Sequence, residues 1–281
     1  MAKDRSYPPA PEPLPLAVTD NHAHIEPFQS FPEAPLTLDQ QVAAARAAGV
    51  SRIVQCGCDL PSARWTAAEA VKHPGVIGAI AIHPNDAARL AAKGAYQDAL
   101  QEIADLAGGQ ERVRAIGETG LDYYRTGPEG RGAQLAAFRD HIALAKELGL
   151  ALQIHDREAH RDVIETLRRA GAPQRTVFHC FSGDAEMAAL AARHGWYCSF
   201  AGTVTFKSGA ELRAAAATLP KELVLVETDS PYLTPEPFRG RPNAPFMVAQ
   251  TMKTLAAAMG LDLAEACRQI QANTTEVYGD W

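Results

Sequence analysis

A chain of 281 residues with 47% hydrophobic residues is long enough for one large domain with a sizeable core. Its formal net charge of -6 excludes a general basic surface for gripping nucleic acid, and leaves room for a nuclease whose metals and local arginines supply the positive field. No run approaches the roughly 18 apolar residues of a membrane-spanning helix, and Met1 to Arg5 leads into prolines rather than an apolar signal core.

The five cysteines, an odd number without framework spacing, point to a reducing cytoplasm, and the Cys56-Gly57-Cys58 pair reads as packing at a strand end. Pro8, Pro9, Pro11, Pro13 and Pro15 give the first fifteen residues an extended character, so 1–15 is expected to be a tail or a strap on the surface. From residue 16 to 281 a short apolar or β-branched run is followed by an Ala-rich helical stretch, again and again. The strands are expected at 16–18, 52–56, 76–82, 113–116, 151–154, 176–178, 196–200 and 223–226. Helices with three- and four-residue apolar spacing are expected at 38–48, 62–72, 96–107, 132–148, 157–170, 185–194, 208–218 and 247–259, with a last one from about residue 263. Eight strands alternating with helices, without a Pro/Gly/Ser linker, define an α/β fold of the (β/α)8 TIM-barrel type in a single domain. Barrels of this kind carry their active sites at the C-terminal ends of the strands.

The chemistry-bearing residues follow that rule. Asp20-Asn21-His22-Ala23-His24 comes at the first strand, and alternation turns Asp20, His22 and His24 to one side with both imidazoles aimed at one spot. His83 ends the third strand, Glu118 the fourth, His155 the fifth and His179 the sixth, and Glu227-Thr228-Asp229 closes the eighth. Imidazoles and carboxylates delivered by several strands to one rim are what divalent ions need. Cys180 alternates with His179 and is read as packing. His73, His141, His160 and His194 fall in helix patterns and are read as structural or surface residues. Arg125, Arg157, Lys207, Arg239 and Arg241 lie on rim loops where they could meet phosphates, and His83 is counted with them as a substrate contact.

The ordered set Asp20-Asn21-His22-Ala23-His24, Ile82-His83-Pro84, Gly117-Glu118-Thr119-Gly120-Leu121-Asp122-Tyr123, Ile154-His155-Asp156-Arg157-Glu158-Ala159, Phe178-His179-Cys180-Phe181-Ser182-Gly183 and Glu227-Thr228-Asp229-Ser230-Pro231-Tyr232-Leu233 resembles the TatD family of metal-dependent hydrolases, within the amidohydrolase-like barrels. The resemblance runs from about Asp20 to the C-terminus. It implies two divalent ions, one held by His22, His24 and Asp229, the other by His155 and His179, with Glu118 bridging in place of the carboxylated lysine of related enzymes. It also implies hydrolysis of a phosphodiester: a deoxyribonuclease working 3′ to 5′ on single-stranded DNA, with RNA as a further substrate, and Asp229 as both ligand and general base.

Two departures stand out. Asn21 replaces a small or hydroxyl residue but should face away from the metals, and the family's Arg-Asn-Glu-Pro segment appears as Arg241-Pro242-Asn243-Ala244-Pro245 without its glutamate. The same ligand set would serve an amide, lactone or ester of a small molecule, and a non-catalytic protein binding metal or a partner is the third reading. Four imidazoles favour zinc, manganese, iron or cobalt, while magnesium is the more available ion. Neither a membrane nor an obligate protein partner is expected.

Overall fold

The computed structural model describes residues 5–27 and 35–281. Met1 to Asp4, the start of the expected tail, lie outside the described residues. The strands are β1 (Val18–Ala23), β2 (Val50–Gly57), β3 (Val76–Ile80), β4 (Val113–Asp122), β5 (Ala151–Arg157), β6 (Thr176–Phe178), β7 (Tyr197–Phe200) and β8 (Val224–Val226). The helices are α1 (Leu38–Ala47), α2 (Leu60–Lys72), α3 (Pro84–Ala92), α4 (Tyr96–Gly109), α5 (Pro128–Leu148), α6 (His160–Ala170), α7 (Ala185–His194), α8 (Ala210–Thr218), α9 (Val248–Ala258) and α10 (Leu263–Tyr278). The strands follow one another from β1 to β8 in one eight-stranded sheet, and with the alternating helices they form the expected (β/α)8 TIM barrel.

The chain divides into two compact units, one made of Met1–Gln55 with Gly183–Trp281, the other of Cys56–Ser182. In the first, β1 pairs parallel with β2 and β7 with β8. Its core holds Ile53, Phe200 and Leu225 from the strands and Met252, Leu255 and Ile270 from helices α9 and α10, all at most 2% exposed. In the second, β3 to β6 pair in sequence, and its core holds Ile80, Ile116, Leu152 and Phe178 from the strands and Phe138 and Ile142 from α5. Strands with both faces covered favour apolar runs, as in β3 and β8, while β1, β4 and β5 interrupt theirs with the polar residues of the site.

Helix ends follow local chemistry. Thr37 with Gln40 and Asp59 with Ser62 form capping boxes for α1 and α2, and left-handed Gly149 and Gly195 terminate α5 and α7. The expected strands end too early at β4 and β5, which continue to Asp122 and Arg157, so that α6 begins at His160 rather than residue 157. Helix α3 is unanticipated. His83 Nδ1 accepts the Asn85 N–H and caps it, and Pro84 takes the first turn, where its missing N–H costs nothing.

Where β4 runs beside β5, Gly120 pairs with His155 at a φ of +137°. A Cβ there would sit 2.1 Å from the His155 carbonyl oxygen. Gly120→Ala should therefore lower the urea unfolding free energy by about 2 kcal/mol or more. Gly109→Ala, in α4 with nothing within 4 Å of the added carbon, should instead hold or raise it by up to about 1 kcal/mol.

Candidate metal centre

In the first unit, β1 places His22 and His24 on one side of the strand with their Nε2 atoms 3.3 Å apart. Both face Asp229 Oδ1, His24 at 3.5 Å and His22 at 4.0 Å. Main-chain bonds hold this geometry, because Asp229 N donates to the His22 carbonyl at 3.0 Å and His24 N to that of Ser230 at 2.7 Å. Asp229 sits at a φ of +54°, a left-handed conformation that an L-residue keeps only when its surroundings impose it. Asp20 lies on the same strand but is engaged elsewhere. Its carboxylate accepts from Thr228 N at 2.8 Å and Thr228 Oγ1 at 2.6 Å, while burial pushes its pKa up against those bonds. Asn21 donates to the Val226 carbonyl and accepts from Thr274 Oγ1.

In the second unit, buried Glu118 presents Oε2 to His179 Nε2 at 2.6 Å and to His155 Nδ1 at 3.0 Å. Its other oxygen accepts from Cys58 Sγ at 3.2 Å. Burial favours the neutral acid, but the two imidazoles outweigh it and hold the Glu118 carboxyl well below the usual range. The far side of His155 faces another carboxylate, with Nε2 3.3 Å from Asp122 Oδ2. Asp122 is fixed by Asn85 Nδ2 at 3.0 Å and by the Arg125 N–H at 2.8 Å. Burial raises its pKa, yet the His155 contact and these donors bring the net shift below the ordinary value. His155 is shifted up: burial works against its charge and the two carboxylates prevail. The His83 ring lies 4.6 Å from that of His155, and burial pushes its pKa down to about 3.

Both groups have the donor chemistry of a cation site. Around a tetrahedral ion with ligands at about 2.0–2.1 Å, donor atoms stand about 3.3–3.4 Å apart, close to the 3.3 Å between His22 and His24. Two imidazole nitrogens facing each other, or one carboxylate oxygen facing two of them, need a proton or a cation between their lone pairs. The residues can therefore hold divalent metal.

The other expected substrate contacts have varied surroundings. Arg125 and Lys207 are exposed, Arg157 lies 4.0 Å over the Tyr124 ring and Arg239 4.5 Å over that of Phe206. Arg241 is engaged with the proline-rich segment, donating to the Ser6 carbonyl and hydroxyl, both at 2.9 Å, and to the Tyr7 carbonyl. Asn243, beside the position of the family's lost glutamate, donates to the Thr228 and Tyr232 carbonyls.

Asp122 receives no role in the sequence, Cys58 reads there as packing and His141 as a structural or surface residue. Asp122 and Cys58 touch proposed ligands directly, and His141 supports the end of β3. Asp122 lay within a quoted motif, but only the strand extension reveals its contact. Buried His141 accepts the Ile82 N–H at Nε2, 3.2 Å away, so its Nδ1–H donates to the Ala137 carbonyl at 2.8 Å. Cys180 has a φ of +43° and remains partly exposed after β6.

A (β/α)8 barrel with these donors at its strand ends defines the class of metal-dependent hydrolases. The profile of the family described as TatD related DNase matches residues 19–279, and the chain belongs to that TatD family. It is 39% identical to a metal-dependent hydrolase TatD of Mycobacterium tuberculosis, over 93% of this chain and 98% of that one. It is 32% identical to the metal-dependent hydrolase YcfH of Escherichia coli K12, over 94% and 96%. Among solved structures, the TatD homolog YjjV of Escherichia coli superposes with a TM-score of 0.82 at 25% identity, covering 93% of this chain and 97% of the other. Among the described residues no helix is long and apolar enough to cross a membrane.

Burial pushes the His141 pKa down to about 4, against about 6.5 in an unfolded chain. Between those values the unfolded chain binds the proton first, so the stability tied to neutral His141 is complete above pH 6.5 and is lost as pH falls toward 4. Urea denaturation from pH 7 to pH 4 should therefore show a steeper loss in the parent than in His141→Gln, with a difference on the order of 2–3 kcal/mol.

Proposed function

We propose that this chain is a metal-dependent phosphodiesterase that shortens single-stranded DNA from the 3′ end, with RNA as a further substrate. The observation that carries the reading is one Glu118 oxygen set against imidazole nitrogens of both His155 and His179, at 3.0 and 2.6 Å. The family's description as a DNase supplies the substrate class. His22, His24 and Asp229 are assigned to one divalent ion, His155 and His179 to a second, and Glu118 to both. Zinc, manganese and magnesium are the ions to test. When bound, such ions acidify a water and neutralise charge developing on a phosphoryl group.

The remaining work belongs to side chains. Asp229 accepts the proton of the attacking water and returns it to the leaving oxygen. Its strained backbone and the His22 carbonyl fix the direction of its carboxylate. Asp122, with Oδ2 3.3 Å from His155 Nε2, orients the ring so that Nδ1 faces Glu118. His83, kept neutral by burial, offers a polar edge beside His155 without adding charge. All five cysteines are thiols, which suits a reducing compartment such as the cytoplasm.

The direct test uses a single-stranded oligonucleotide labelled separately at each end, with metal-stripped protein resupplied with magnesium, manganese or zinc. Stepwise shortening from the 3′ end, lost in Asp229→Asn, is expected; equal traces from both proteins with every metal would overturn the nuclease reading. Asp122→Asn should weaken retention of metal during dialysis by about 10–100-fold while leaving the fold intact. Metal content measured after equilibration checks this without reference to turnover.

A further inference from the structure

Tyr124, in the loop after β4, keeps 60% of its surface open, more than any other exposed large aromatic among the described residues. An aromatic ring in water is costly to leave there without a use, and single exposed apolar residues are nevertheless common. What distinguishes Tyr124 is its mounting. Its ring is backed by the Arg157 guanidinium, 4.0 Å from the centroid, at the tip of β5. The two tips are paired, with Asp122 in register with Arg157 and the Tyr123 N–H donating to the Arg157 carbonyl at 2.9 Å.

The neighbours on either side are pinned as well. Tyr123 donates its hydroxyl to Asp162 at 2.6 Å and lies under the Arg131 guanidinium, 4.2 Å away, while the Arg125 N–H is bound to Asp122. An exposed ring is thus held on two strand extensions that reach beyond Glu118 and His155. Arg157 follows His155 by two residues, about 6–7 Å along the strand.

We propose that Tyr124, backed by Arg157, is a base-stacking platform for the nucleotide next to the scissile phosphodiester, which makes it a substrate-positioning residue. The proposal rests on the nuclease reading above. Every nucleobase has a π-face, so a single tyrosine gives grip without sequence preference, and a guanidinium beneath it adds a cation near the phosphate backbone. That combination suits an enzyme that must move along a strand of any sequence. It also favours unpaired DNA, because a base stacked on protein has left its own duplex stack.

The test measures binding on the parent protein loaded with manganese, using fluorescence anisotropy with a short cleavage-resistant phosphorothioate oligothymidylate in which one abasic sugar is moved along the strand. With Tyr124 present, one abasic position should cost about tenfold in affinity. Tyr124→Ala should bind the intact strand about tenfold more weakly and pay no further cost at that position, and Tyr124→Phe should stay within about twofold. In the cleaving enzyme, Tyr124→Ala should raise KM with little change in kcat. Unchanged thermal melting would show that the fold survives. Binding by Tyr124→Ala as tight as its parent, or an abasic cost that persists without the ring, would overturn the platform alone. Failure of any oligonucleotide to bind would overturn the nucleic-acid reading and the platform with it.

Discussion

Much of the second unit depends on one buried carboxylate. Glu118 is 5% exposed, and its charge is held mainly by His155 and His179, which meet the same oxygen. Taking an anion from water without partners costs on the order of several kcal/mol, or leaves the carboxyl protonated, and the imidazoles offset that cost. They in turn need holding. Asp122 takes the far side of His155, Asn85 and the Arg125 N–H hold Asp122, and Gln134 reaches Asn85, Thr126 and the Asp122 main chain. A cation can replace the protons that these rings would otherwise carry, and the cage around it is already in place.

The sequence showed the fold through repetition and the donors through position. Short apolar runs followed by Ala-rich helices mark the barrel, and the resemblance rests on residues at strand ends, where side chains do chemistry rather than packing. Boundaries were harder. Gly117 and Gly120 look like strand breakers, yet β4 passes through them because residues without Cβ let its backbone approach Gln153 and the His155 carbonyl. Helix α3 was hidden by His83-Pro84-Asn85, which reads as a turn and serves as a cap.

Supporting contacts were least legible. Cys58 reads as packing in Cys56-Gly57-Cys58, yet its thiol reaches Glu118, sixty residues further along the chain. His141 looks like one more helical histidine, and its bond to the Ile82 N–H exists only once α5 lies beside the segment that follows β3. The first unit repeats the pattern: Gln55 donates to Glu26 and accepts from the Ile25 N–H, bonds that no spacing announces.

The grip of Arg241 on Ser6 and Tyr7 gives the proline-rich start of the chain an influence disproportionate to its size. Arg241 lies on the same β8–α9 connection as Asp229, and that connection is shaped by a few polar bonds rather than by regular structure. A change at Ser6 or Tyr7 would therefore be felt, through Arg241, in the connection that carries Asp229, although the two lie more than two hundred residues apart in the sequence.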